Sequence, residues 1–173
     1  MKMQSPQRRP QLFGWFIAMR FTSFPASFSP ADSAAGFSET LPEWNLADLY
    51  AGTESPKLKA DLARVAEDVT RFGADYRSKL ADLAKGSDAS STLGEAVARY
   101  EALQDLLGRL MSYAGLLYSG DTTDPARAKF YGDVQEKITN ASAQLLFFQL
   151  ELNRLDDAVL MAAAGKAPLS RWK

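Results

Sequence analysis

Apolar residues recur every three or four positions through most of the chain after residue 55, which is the spacing of amphipathic helices. The longest such pattern runs from Asp124 to Asp157, and it opens with an aspartate and a proline, which favour a helix cap and the first helical position. Its stripe consists of Phe130, Val134, Ile138, Ala141, Leu145, Phe148, Leu152 and Leu155. The stripe widens between Leu145 and Leu152, so we predict a central helix that needs neighbours on more than one side.

Two more long helices and a short one are predicted around this central helix. The first begins at Ser55-Pro56, and its stripe consists of Leu58, Leu62, Val65, Val69, Phe72, Tyr76, Leu80 and Leu83. The second follows a loop over residues 86–91, begins with a capping box from Thr92 to Glu95, and runs to Ser119. The short one covers Ala158–Ala164. No stretch alternates with period two, and the loops are short, so we predict an all-α antiparallel array of three long helices plus short terminal helices.

Two features of these helices carry more specific expectations. The charged residues of the first helix, Asp61 among them, are expected mainly on its solvated faces. Gly108 and Gly115 lie near the apolar seam of the second helix, where close approach of a neighbour would offset their low helix propensity.

The chain divides into three parts by composition. Residues 1–40 are predicted to be a disordered or leader segment, residues 41–165 a helical domain, and residues 166–173 an irregular tail. The first part has no acidic residue before Asp32 and contains the apolar run Leu12–Met19, which is too short to span a membrane. A disordered extension, an export signal and an organellar transit peptide are the alternatives for it. At the start of the domain, Trp44 is expected either to clamp the chain onto the helices or to stack on a ligand.

Composition narrows the possible chemistry. The net charge of −1 argues against nucleic-acid binding, and the absence of cysteine excludes disulfides and thiolate chemistry. The absence of histidine removes the commonest general acid–base residue, and without cysteine as well no zinc site of the usual kinds can be assembled. We therefore predict no catalytic, cofactor-binding or metal residue in this chain.

Several groups of residues offer alternatives to that prediction. Asp121 and Asp124 suggest either a cation-binding loop or an ordinary loop and cap, and Asp156-Asp157 either an acid–base pair or a helix start. The sequon at Asn140 falls inside a predicted helix. Four tyrosines are expected in the core, with a groove lining as the alternative: Tyr100, Tyr113, Tyr118 and Tyr131.

A family resemblance runs from about Leu41 to about Ala163. It rests on LPEWNLADLY, on FGADYRSKLADLA, on the stretch around Tyr113 to Pro125 (YAGLLYSGDTTDP) and on LLFFQLELNRLDD. These segments resemble oligoendopeptidase F, among the thimet-oligopeptidase-like zinc metallopeptidases. The resemblance implies a helical enzyme that hydrolyses short peptides in a deep channel, with zinc held by H-E-x-x-H and a later glutamate. Those ligands cannot be assigned here, because the chain has no histidine.

The resemblance therefore implies the N-terminal helical domain of such a peptidase, without its catalytic half and inactive alone. An independent helical protein-interaction or peptide-binding module is the alternative. The expected partners are the missing catalytic region, or a second copy, through the apolar face around Leu145, Phe148 and Leu152; no nucleic acid and no transmembrane segment is expected. We expect a cytoplasmic protein, with export through the basic and apolar leader as the alternative.

Overall fold

The computed structural model describes residues 44–172, which form an all-α fold with no strand among them. Its helices are α1 (Pro56–Tyr76), α2 (Leu80–Leu83), α3 (Ala89–Gly120), α4 (Pro125–Leu152) and α5 (Asp157–Ala164), followed by a 3-10 helix (Leu169–Trp172). The predicted fold class is confirmed. The leader predicted over residues 1–40 lies outside the described residues.

The helix starts that combine a polar cap with proline are where the sequence places them. The Ser55 Oγ accepts a hydrogen bond from the Leu58 amide at 3.3 Å, and the Asp124 Oδ1 accepts one from the Ala126 amide at 2.7 Å. Asp156 caps α5 in the same way, through the Ala158 amide at 2.9 Å. Each cap satisfies an amide that the first helical turn leaves without an intrahelical acceptor.

The first helix is shorter than its apolar stripe predicts. It ends at Tyr76, and Ser78 has a φ of 63°, so the chain breaks before the short α2 resumes the stripe at Leu80. Contacts with α4 stabilise the break: the Ser78 amide donates to Glu151 Oε1 at 2.7 Å, and the Arg77 guanidinium donates to the carbonyl of residue 144 at 3.1 Å. The prediction of one continuous helix to Leu83 is wrong, because the Ser78 amide bonds to Glu151 in place of a helical carbonyl.

The capping box predicted at Thr92 is also wrong. The helix α3 begins earlier, at Ala89, and the Thr92 hydroxyl donates back to the Asp88 carbonyl at 3.3 Å from inside the first turns. Nearby, the Ser90 hydroxyl donates to the Lys166 carbonyl at 2.8 Å. The start of α3 is therefore tied to the C-terminal segment, a partner that the local sequence does not reveal.

The core lies between the three long helices, which all contact one another. An aromatic cluster joins them, with the Phe148 ring of α4 at 5.1 Å from Phe72 of α1 and at 4.8 Å from Tyr100 of α3. Aliphatic side chains extend the core towards both ends of the bundle, and those that are almost fully buried include Leu58, Leu93, Leu110, Val134 and Leu145. The predicted stripes therefore do face one another.

The tail expected to be irregular is instead packed on α3. Leu169 is buried, and Arg171 forms an ion pair with Glu101 at 3.3 Å. A Cβ added at Gly94 would lie 2.8 Å from Pro168 Cγ, so this glycine is where a neighbour approaches α3 closely. A Cβ at Gly108 would meet no atom within 4 Å, so close approach predicted at that position is not found.

Candidate functional site

The described part of the chain contains one buried charged side chain, the carboxylate of Asp61, which is 6% exposed. The Tyr50 hydroxyl donates to Asp61 Oδ2 at 2.8 Å, and the Arg64 guanidinium lies 2.9 Å from Asp61 Oδ1. Tyr50 is itself 2% exposed, and its ring meets that of Tyr113 at 5.2 Å with the planes at 75°. The cluster fixes the segment before α1 onto both α1 and α3.

Burial is the largest cause that raises the pKa of Tyr50 to about 12, followed by the hydrogen bond to Asp61 and the negative charge of that carboxylate. The Arg109 guanidinium opposes this rise and is the smaller influence. Tyr50 therefore stays protonated and remains a hydrogen-bond donor throughout the physiological pH range. The arrangement suits structural anchoring, since a general acid or base works best with a pKa near the operating pH.

Sequence reasoning missed this cluster because it placed Asp61 with the solvated charges. A signal was present: Asp61 lies three residues after Leu58 and four before Val65, which puts it on the apolar stripe of α1. The sequence also predicts that Trp44 clamps the segment before α1 onto the helices, but Trp44 is 64% exposed. Tyr50, at the end of the same segment, is the residue that anchors it, because it alone there combines a buried ring with a buried acceptor for its hydroxyl.

A cleft of about 260 Å³ lies between α1 and α3, with arginine and aspartate side chains above an apolar floor. Its lining comprises Arg64, Asp68, Arg71, Arg99, Ala102, Leu103 and Leu106. The three guanidiniums are all engaged by carboxylates. Arg64 pairs with Asp61, Arg71 with the acidic groups one turn earlier, and Arg99 with Asp75 at 2.8 Å. An anion entering the cleft would have to displace these carboxylates, so the cleft has the chemistry of a surface ion-pair network.

The acidic candidates act locally. Asp121 accepts hydrogen bonds from the amide and the hydroxyl of Thr123, at 2.9 and 2.7 Å, and these bonds lower its pKa. Asp124 and Asp156 cap helices, so their carboxylate oxygens are turned towards backbone amides. Among residues 44–172, no cluster of three or more carboxylates, histidines or cysteines is placed to hold a metal ion. The sequon at Asn140 lies inside α4.

The four candidate tyrosines divide into two pairs. Tyr100 and Tyr113 are buried, as expected of core residues. Tyr118 and Tyr131 are half-buried and stack on each other, with ring centroids 5.3 Å apart and planes 12° apart. This stack joins the end of α3 to the start of α4.

The face expected to bind a partner is placed differently from the prediction. Leu145, Phe148 and Leu152 are buried against the other helices, with at most 4% of each side chain exposed, so they are not available to a partner. The neighbouring Leu146 and Leu150 are the exposed apolar residues of α4, at 51% and 48%. A run of adjacent leucines and phenylalanines is apolar on every side, so the sequence alone did not distinguish the buried positions from the exposed ones.

These two leucines belong to a larger surface without charge, which we call the uncharged face. On α4 it follows exposed positions spaced by three and four residues: Ala128, Gly132, Gln135, Thr139, Ser142, Leu146 and Leu150. On α3 it comprises Gln104, Gly108, Met111, Ser112, Gly115 and Ser119, which are exposed or half-buried. The charged residues of α4 occupy other positions, for example the ion pair between Lys129 and Asp133.

Contacts between α3 and α4 show that the two rows form one surface. The amide groups of Gln104 and Gln149 both donate to the Tyr100 hydroxyl at 2.7 Å, and a Cβ at Gly115 would lie 3.8 Å from Tyr131. The helix α1 packs on the opposite side of this pair, where Ser78 contacts the end of α4. The uncharged face is therefore two helices wide and has no partner among the described residues.

Comparisons with known proteins give no relative: no family model, no curated protein and no solved structure matches the chain. Between residues 44 and 172, no helix combines the length and the apolar character needed to cross a membrane.

Proposed function

We propose that this chain is an N-terminal helical domain of the oligoendopeptidase F kind, and that it has no peptidase activity alone. The observation that carries the proposal is a contact between two of the segments on which the resemblance rests. Tyr50 ends LPEWNLADLY and Tyr113 begins YAGLLYSGDTTDP, and their rings pack edge to face in the core at 5.2 Å. Asp124-Pro125, at the end of the second segment, forms the cap of α4. The segments thus have packing and capping roles, as expected of a scaffold.

The zinc chemistry that the resemblance implies does not fit the residues of this chain. Protein zinc sites are built from cysteine and histidine, with carboxylates as additional ligands, and this chain contains neither cysteine nor histidine. Its best-placed carboxylates accept backbone hydrogen bonds or pair with arginine. Zinc-dependent peptide hydrolysis of the oligoendopeptidase F kind would therefore need a separate catalytic region that carries H-E-x-x-H.

Reconstitution tests this proposal. The 173-residue chain would be mixed with the zinc-loaded catalytic region of an oligoendopeptidase F from which the N-terminal helices have been removed. We expect the chain to bind that region and to increase its cleavage of fluorescence-quenched peptides, whereas the chain alone with zinc gives no chelator-sensitive cleavage. Absence of both binding and stimulation would contradict the family proposal.

The second candidate is an independent helical interaction module, and the uncharged face favours it. Leu146 and Leu150 expose about half of their side chains on that face, and no charged group interrupts it between Ala128 and Leu150. Exposed apolar surface of this kind marks interaction sites in folded proteins. This candidate needs no catalytic region, and it predicts that substitutions on the uncharged face weaken partner binding without unfolding the domain.

A further inference from the structure

We propose that the uncharged face binds a second copy of this chain, so that α3 and α4 of two copies form a four-helix bundle. This dimer rests on the second candidate function, the interaction module, and names its partner. It does not depend on the family resemblance. Its starting point is the geometry of the described domain: α1 covers one side of the α3–α4 pair, and the other side remains open over most of its length.

The absence of charged groups on the uncharged face favours a second copy as its partner. A partner bearing charged groups would have to leave them unpaired against this surface, because the face offers no ion to pair with them, and an unpaired buried charge is costly. A second copy presents the same uncharged surface and meets no such cost. The two helices of the face are also of similar length, with 32 residues in α3 and 28 in α4, so those of two copies can lie side by side.

The small side chains of the uncharged face also suit close packing against another pair of helices. Alanine, glycine and serine occupy many positions of the face, and Cβ atoms added at Gly108 and Gly132 would meet nothing within 4 Å. Small residues let a neighbouring helix approach closely, and Leu146 and Leu150 then provide the larger side chains that fill the contact. Close approach of this kind already occurs at Gly94 of α3, outside the face, where an added Cβ would lie 2.8 Å from Pro168 Cγ.

The area of the uncharged face is also large enough for a dimer interface. The α4 row is about 35 Å long and the α3 row about 24 Å, at about 1.5 Å per residue, and each helix is about 10 Å wide. The face therefore covers about 600 Å² per copy, or about 1,200 Å² in total, which is the lower limit of standard protein interfaces. Interfaces at this lower limit are often those of weak or transient complexes, so we expect a reversible dimer.

Sedimentation velocity on the full 173-residue protein from about 1 to about 100 μM tests the proposal. The weight-average mass should rise from that of the 19.0 kDa monomer towards twice that value. Leu146→Glu should raise the dissociation constant at least about tenfold, because it buries a charge in the interface. Gln144→Glu is the matched control, since it adds the same charge to an exposed position of α4 outside the face, and it should leave dimerisation unchanged.

Circular dichroism and urea unfolding of each variant establish that the helices remain folded before the masses are compared. If Leu146→Glu were unfolded, Leu146→Gln would replace it, with the same direction expected. A wild-type protein that stays at 19.0 kDa over the whole range would overturn the proposal, and so would an assembly that a folded Leu146→Glu variant leaves intact. Neither outcome depends on stimulation of a catalytic region, so this test and the reconstitution test can fail separately.

Discussion

Replacing Tyr50 by phenylalanine removes one hydroxyl from the buried cluster and leaves the ring in place. The hydroxyl donates to Asp61 Oδ2 at 2.8 Å, and the two side chains are 2% and 6% exposed. The ring contact with Tyr113 at 5.2 Å does not involve the hydroxyl, so apolar packing should survive the substitution. The change in stability therefore reports mainly on one charge-assisted hydrogen bond.

A hydrogen bond to a charged group contributes about 1.5–3 kcal/mol, and its loss leaves the buried carboxylate with one partner fewer. Arg64 remains 2.9 Å from the other carboxylate oxygen, but its side chain is about half exposed and offsets only part of the loss. We expect Tyr50→Phe to lower the free energy of unfolding by about 1.5–3 kcal/mol. In an Asp61→Asn background the same substitution should cost about 0.5–1.5 kcal/mol, because the acceptor is then neutral.

The pH dependence of stability reports on the burial of the Tyr50 hydroxyl together with its bond to Asp61. Burial and Asp61 raise the folded-state pKa of Tyr50 from 10.0 to about 12. The stabilisation from the protonated hydroxyl is therefore complete below pH 10 and is lost as the pH rises from 10 towards 12. Burial of the hydroxyl is the first cause of the shift and the bond to Asp61 the second, so the loss, on the order of 2–3 kcal/mol, contains both effects. The phenylalanine variant lacks this term, so its stability should approach that of the wild type in that range.

Urea unfolding at neutral and alkaline pH measures both effects, with the unfolding midpoint shifting at constant slope. Tyr118→Phe is the control, because Tyr118 stacks on Tyr131 and its hydroxyl makes no hydrogen bond within residues 44–172. That variant should change the free energy of unfolding by less than about 0.5 kcal/mol. Burial raises the pKa of Tyr113 as well, so a smaller alkaline loss should remain in Tyr50→Phe. Equal effects of the two substitutions, or an alkaline stability loss as large in Tyr50→Phe as in the wild type, would refute the assignment of a buried hydrogen bond at Asp61.

Three further predictions concern the helices themselves, and urea unfolding checks each. Phe148→Ala should lower the free energy of unfolding by about 3–5 kcal/mol because the ring is 1% exposed, whereas Leu150→Ala should lower it by less than about 1 kcal/mol. Asp124→Ala should cost about 0.5–2 kcal/mol through the lost cap of α4, and a negligible change would show that the cap does not stabilise the helix. Gly94→Ala should lower the free energy of unfolding by about 1–3 kcal/mol, because its Cβ would meet a proline ring at 2.8 Å. Gly73→Ala should instead raise it by about 0.5–1 kcal/mol, because its Cβ would meet only the end of an arginine side chain at 3.7 Å.

The all-α fold could be predicted from local information because the strongest signals were local. Ser55-Pro56 and Asp124-Pro125 mark helix starts through hydrogen bonds to amides two or three residues away. The apolar stripes also report burial directly, since most of their residues face the core. The start of α5 at Asp157 follows the same logic, with Asp156 as the cap.

The errors arose where distant residues decide the local structure. The break after Tyr76 depends on Glu151, which is 73 residues from its partner Ser78, and no local pattern contains that information. The early start of α3 similarly depends on the carbonyl of Lys166, which accepts from Ser90. The apolar stripe continues through the break after Tyr76 and begins only after the first turn of α3, so periodicity predicts the register of the apolar residues but not where these helices end and begin.

The candidate surfaces show the same limit. The periodicity identified Leu145–Leu152 as the most apolar part of α4, but which side is open depends on where α1 packs. The uncharged face becomes recognisable only when Leu146 is seen on the same side as Gly108 of the neighbouring helix. The burial of Asp61 could be predicted from its position on the apolar stripe of α1. Its pairing with Tyr50 could not, because the turn before α1 brings the two residues together.

We propose that this chain acts as a scaffold and carries out no zinc-dependent peptide hydrolysis of its own. The most direct test measures zinc content and peptide cleavage on one purified sample of the 173-residue protein, incubated with zinc and then desalted. The account predicts substoichiometric zinc and no cleavage that a chelator abolishes, because the chain has no histidine or cysteine ligand. One tightly held zinc ion per chain, together with chelator-sensitive turnover of peptides, would contradict it.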